Sequence, residues 1–112
     1  MDITKYLRQS ISGTEYGEGI RSYISQDIRP PVLCADGYTI SVQASKTHYC
    51  EPRQDWLKHY SRVEVGYPSE HTPLLGETND GEVWPWVSIE TVDAICDSHG
   101  GIVGAVEYTE YP

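Results

Sequence analysis

The sequence predicts an α+β fold: a small antiparallel sheet of about four to five strands, with helices packed on one face. Three observations carry that expectation. Asp36-Gly37 separates two strand-like runs, and this dipeptide is a strong short-range hairpin signal. Tyr38–Ala44 and Arg62–Tyr67 alternate apolar with polar residues, the period of a half-buried strand. Two segments near the chain's ends repeat apolar residues at helical spacing and carry their own capping residues.

The 112 residues form one domain, with 1–30 as a helical N-terminal segment and 31–112 as the α+β core. Residues 2–11 are expected to form a short helix. Asp2 caps it, and Ile3, Leu7 and Ile11 recur four apart with Tyr6 beside them. A second helical stretch is expected around 18–27 and ends at Pro30-Pro31, because a residue before proline is pushed out of the α region. Val32-Leu33-Cys34 and Tyr38–Ala44 then form the hairpin, with Tyr38, Ile40, Val42 and Ala44 sharing one face. Residues 45–61 make a long connection, with a short helix expected near 54–60. In Arg62–Tyr67, Val63, Val65 and Tyr67 are expected inward. Residues 68–82 are irregular, punctuated by proline and glycine. Val83–Val87 reads as a strand that Pro85 confines to an edge or a bulge. The clearest helix follows from Ser88 to about Ser98. Ser88 is its N-cap, Ile89, Val92, Ile95 and Cys96 are its apolar stripe, and Gly100-Gly101 stop it in the Schellman manner. Residues 102–108 return as a last strand.

Charge is distributed unevenly. The first 62 residues hold seven acids and eight bases, a net of +1. After Arg62 there is no lysine or arginine, and ten carboxylates follow, so this half supplies more than the whole net charge of −9. Such a field repels nucleic acid and attracts basic surfaces, among them the channels of proteins that bind DNA or RNA. Glu90, Asp93 and Asp97 fall at i, i+3 and i+7 of the last helix, a carboxylate row of roughly 10 Å at the helical rise. Glu77, Asp80 and Glu82 make the loop before it acidic. A second candidate surface is the connection 45–61, where His48, Tyr49, Arg53, Trp56 and Tyr60 combine aromatic rings with a guanidinium, residue types common at interface centres.

Catalytic and metal chemistry find little support. The sequence holds no Gly-rich phosphate loop, G-x-S-x-G, HExxH or zinc-deaminase signature. Cys34, His48, Cys50, Cys96 and His99 imitate zinc ligands only imperfectly, since structural zinc takes paired ligands at short spacing. No catalytic residue, metal site or cofactor is expected. A Cys50 pairing with His48 or His59 as a thiol nucleophile is the weaker enzymatic alternative. Three widely spaced cysteines fit reduced thiols better than a disulfide framework. No run approaches the ~18 apolar residues of a membrane span, and the N-terminus lacks a signal-peptide apolar region. The expectation is a cytoplasmic protein that touches neither membrane nor nucleic acid directly.

The string ADGYTISVQAS…HYCEPR…YSRVEVGYPSE, closed by SHGGI, resembles a group of small proteins encoded in bacteriophages and prophages. The resemblance runs over residues 31 to 102 and brings no reaction or site residues with it. It implies a phage context and the host cytoplasm as the place of action. Small acidic phage proteins without catalytic motifs are similar in general character to inhibitors of host defence, anti-CRISPR proteins above all. Two expectations follow. One is an inhibitor that binds a host nucleic-acid-handling effector through its acidic half, by contact and phosphate mimicry. The other is an oligomeric phage accessory protein, a virion or replication factor in which the +1 half and the acidic half pair between copies.

Overall fold

The computed structural model describes residues 1–12, 28–55, 57–77 and 82–106. The helical stretch expected at 18–27, and with it Trp56 and Asp80, lies outside the described residues. Helix α1 (Ile3–Ser12) leads to strands β1 (Val32–Cys34), β2 (Thr39–Gln43) and β3 (Arg62–Gly66). A single 3₁₀ turn, Pro73–Leu75, precedes β4 (Val83–Ser88), helix α2 (Ile89–Ser98) and β5 (Ile102–Ala105). The strands stand in the order β4-β3-β2-β1-β5, each antiparallel to its neighbours. Thus β1 to β4 form a meander, and α2 carries the chain from one edge of the sheet to the other. This is the α+β architecture expected from the alternating runs.

Alternation places the core. Val32, Cys34, Ile40, Val42, Val63, Val65 and Ile102 turn one face of the sheet inward, and all are buried. Against them lie Ile3, Tyr6 and Leu7 of α1 and Val92, Ile95 and Cys96 of α2, in a single apolar cluster. Both described helices start on side-chain caps. Asp2 Oδ1 accepts from Lys5 N at 2.8 Å, and Ser88 Oγ accepts from Thr91 N at 3.1 Å. Helix α2 ends in the Schellman pattern: Gly101 N donates to Cys96 O at 2.9 Å and Gly100 N to Asp97 O at 3.1 Å. Gly100 sits at φ +88°, and a Cβ there would come within 2.9 Å of the Ala35 methyl. The helix end is therefore pressed against the β1–β2 turn. In that turn Gly37 takes φ +97°, and Asp36 Oδ1 accepts from Tyr38 N at 2.9 Å.

Four details differ from expectation or go beyond it. Tyr67, expected inward as the end of an alternating run, is 63% exposed. Its φ of +50° ends the alternation and turns the ring out, while its N–H is held by Glu82 O at 2.9 Å. No helix forms in the described residues of 54–60. Tyr60 Oη donates to Gln54 O at 2.6 Å and accepts from Leu57 N at 3.1 Å, so a side chain takes backbone groups that a helix would pair. In β4, Val87 pairs with Val63 and Trp84 with Val65, which leaves one extra residue in β4. That bulge holds Pro85 and Trp86, the latter at φ +53°, and β4 is an edge strand as the proline demands. Gln43 points away from the core yet is only 6% exposed. Its amide pairs with the backbone of Arg29 in both directions, at 2.8 Å each, and Arg29 Nη1 donates to Ala44 O at 2.7 Å. Tyr6 Oη donates to Pro30 O, so α1 and the segment entering β1 are tied together.

Candidate functional site

The acidic row on α2 is divided by the fold. Glu90 and Asp97 are exposed, and Asp93 is half-buried. Asp93 Oδ1 accepts from Ile3 N at 2.8 Å, which satisfies one of the orphan N–H groups at the start of α1. Burial raises the pKa of its carboxyl, and the negative charges of Asp2, Asp97 and Glu90 add to the effect. Asp93 is thus a cap supplied by another helix, while Glu90 and Asp97, seven residues and roughly 10 Å of rise apart, stay open to a partner.

Glu77 and Glu82, at the described ends of the acidic stretch before β4, line a concave surface. A cleft of about 420 Å³ lies between the 68–77 segment and the adjoining ends of β3 and β4, and Tyr67, Trp84, Glu70, His71, Glu77 and Glu82 are among its lining residues. Two of the expected acids, Glu77 and Glu82, meet here. Glu70, Tyr67 and Trp84 were not singled out by sequence. Their signal was present in the two aromatic residues, Tyr67 and Trp84, that bracket a loop of four acids. The Trp84 indole is fixed in place, because its Nε1–H donates to Gly76 O at 3.1 Å.

Beneath this cleft is a polar node. His99 stacks on Tyr38 with ring centroids 3.8 Å apart and planes 1° from parallel. Its Nδ1 stands 2.7 Å from Asp36 Oδ2, and its Nε2 stands 3.6 Å from Glu70 Oε1. The Tyr38 N–H, with His99 as a second contributor, holds the Asp36 carboxyl below the usual range. Tyr38 Oη and Thr72 Oγ1 are 2.7 Å apart, and burial raises the phenol's pKa. The node joins the end of α2, the hairpin turn and the loop that floors the cleft.

Known protein families, curated proteins and solved structures offer no match to this chain.

The aromatic connection is likewise divided. Tyr60 is buried, and His48 Nδ1 stands 2.7 Å from the buried Ser45 Oγ. Tyr49 is exposed, with Arg53 over its ring at 5.2 Å and Trp86 tilted against it at 5.2 Å. Trp86, read from sequence only as a strand residue, is 47% exposed, and its N–H donates to Tyr49 O at 3.1 Å. Tyr49, Arg53 and Trp86 therefore make one patch, while His48 and Tyr60 are engaged with Ser45, Gln54 and Leu57 of the same connection.

The thiols lie in the core. Cys34, Cys50 and Cys96 are buried and free, and burial raises the pKa of each. The Cys50 Sγ–H faces the Ser45 carbonyl at 3.1 Å, while His59 Nε2 lies 2.8 Å from Arg8 Nη2, so the thiol–imidazole pairs considered above are not made. Among the described residues no three His, Cys, Asp or Glu side chains converge as a metal ion requires, and no helix is long and apolar enough to cross a membrane.

Proposed function

We propose that this chain is a phage-encoded acidic inhibitor, of the anti-CRISPR kind. It binds a host protein that handles nucleic acid, through a surface that otherwise receives phosphates. The observation that carries this reading is the pair of open carboxylates on α2, Glu90 and Asp97, in a half of the chain that contains no lysine or arginine. A rigid helix holds such charges at fixed spacing, where arginine and lysine of a nucleic-acid channel make charge-assisted hydrogen bonds. The Tyr49, Arg53 and Trp86 patch supplies two aromatic anchors and a guanidinium, residue types that dominate binding energy. The resemblance to phage proteins supplies the context. Inhibition in this reading is occupancy of the host surface, without a chemical step.

The test is capture of the partner from bacterial lysate with the full chain, its identification, and direct binding to the purified partner at several salt concentrations. Electrostatic steering predicts fast association that slows as salt rises. Glu90→Lys with Asp97→Lys is expected to weaken binding at least tenfold and to flatten the salt dependence. A captured protein without nucleic-acid function, or an affinity indifferent to both substitutions, would sink the reading.

A further inference from the structure

We propose that the cleft beside β4 is a receptor for a guanidinium group, the side chain of an arginine on the partner's surface. This rests on the reading of the partner as basic and names the group it inserts. The lining carries the argument. Glu70, Glu77 and Glu82 bring carboxylates from two stretches of chain to one cavity. Tyr67 and Trp84 add two aromatic rings. The Tyr67 ring stands clear of the sheet because its backbone is at φ +50°, and the Trp84 ring is locked by its bond to Gly76 O. Carboxylates offer only acceptors when ionised, and aromatic faces attract cations. The cavity is thus lined by acidic and aromatic side chains together, with one Glu70 oxygen also facing His99 Nε2 at 3.6 Å. A planar cation with donors along its edge satisfies both, by stacking on a ring while pairing its edge with a carboxylate. A lysine ammonium pairs with carboxylates as a point charge and lacks the plane for stacking.

Size and geometry narrow the class further. At about 420 Å³ the cleft is at the low end of the range for small-molecule sites, suited to one side chain. A divalent metal is not the match, because no three ligating side chains among the described residues converge on a point. The floor is stiff: Thr72, against Tyr38, is tied through the stacked His99 to the end of α2. A preorganised floor lowers the cost of ordering a bound side chain.

The experiment is a ¹H–¹⁵N NMR titration of the full chain with N-acetyl-arginine amide, beside its neutral isostere N-acetyl-citrulline amide and the corresponding lysine compound. The expected result is a saturable shift of the Trp84 indole N–H and of the Gly76 and Glu82 amides with the arginine compound. The citrulline compound should bind at least tenfold more weakly, and the lysine compound should bind between the two. Tyr67→Asn, which removes the ring with a residue that tolerates positive φ, should weaken the arginine compound about tenfold. Glu70→Gln with Glu77→Gln serves as a second variant in exposed positions, with the same expectation. Equal response to citrulline, shifts centred on Glu90 and Asp97, no saturable shift, or indifference to the variants would each overturn the proposal. The two readings fail separately. An arginine-binding cleft in a chain that captures no nucleic-acid-handling protein refutes only the function. A captured partner insensitive to Tyr67→Asn and Glu70→Gln refutes only the cleft.

Discussion

Replacing Asp93 by alanine and by asparagine separates its charge from its hydrogen bond. Asp93 Oδ1 accepts from Ile3 N across 90 positions of sequence, at 2.8 Å in a half-buried setting. Alanine leaves that N–H without an acceptor. Loss of a helix-capping acceptor costs about 1–2 kcal/mol, which for a domain near this size is a fall in Tm of about 4–15 °C. Asparagine keeps an acceptor oxygen and removes the charge. Burial has raised the Asp93 pKa above its ordinary value of 3.8, so over the window just above that value the folded chain binds more protons than the unfolded chain. Stability from this group is then greatest at low pH, falls as pH rises through the window, and stays at the lower level above the folded pKa. The asparagine variant lacks this loss. The expected outcome is that Asp93→Asn equals or exceeds the wild type at neutral pH, and that its advantage shrinks as pH falls through the window. Urea unfolding followed by tryptophan fluorescence, from about pH 3 to about pH 8, measures it. The reasoning is refuted if asparagine is as damaging as alanine at neutral pH, or if alanine changes stability by less than about 0.3 kcal/mol.

Gly100→Ala is expected to lose about 2–3 kcal/mol, from the left-handed backbone and from the close approach to Ala35. A thermal melt showing less than about 0.5 kcal/mol counts against that contact. Gln43→Leu removes the partners of Arg29 N and O together, and urea unfolding should show a loss of about 2–4 kcal/mol. A near-neutral result would mean that water replaces the amide. Cys34, Cys50 and Cys96 should react slowly with a disulfide reagent in the native state, and rapidly in guanidinium. Because burial raises all three thiols, the native rate should stay low as pH passes through the ordinary thiol range. A single fast-reacting cysteine would contradict the burial. Glu90→Lys with Asp97→Lys should leave the melting transition within about 0.5 kcal/mol of the wild type, since both side chains are exposed, and circular dichroism on heating checks it.

The elements legible in the sequence are those whose determinants are local. Asp2, Ser88 and Gly100-Gly101 act within a turn of where they stand, so both described helices were found with their caps. Alternation sorted Tyr38, Ile40, Val42 and Ala44 to one face because a strand's period is two and one side of this sheet is covered by helices. The same rule failed at Tyr67, where the backbone leaves the strand through positive φ, a conformation that a tyrosine does not advertise. It also failed to show that Gln43 is buried. Polar residues on an alternating strand read as solvated, and only the return of the 28–31 segment along that face makes Gln43 a surrogate strand partner for Arg29.

The acidic surface was legible in sign and only partly in membership, for a physical reason. Charge is a sum over the chain, so the long-range field follows from composition wherever the carboxylates fall. What a given carboxylate does depends on its nearest donor, and in a folded chain that donor is often remote in sequence. Asp93 shares its helix face spacing with Glu90 and Asp97, yet the N-terminus of α1 arrives beside it and not beside them. Glu70 looked like an ordinary loop acid, and Glu77 like one of an acidic run, until the bulged β4 edge brought Trp84 against Gly76 and shaped a wall for them. A partner's arginine would meet the same distinction. Glu90 and Asp97 would steer it from a distance in a salt-sensitive manner. The cleft would hold it by stacking and direct hydrogen bonds, which salt screens less. A binding reaction whose association rate falls steeply with salt, while its dissociation rate responds mainly to Tyr67 and Glu70, is therefore the kinetic signature of both surfaces acting on one partner.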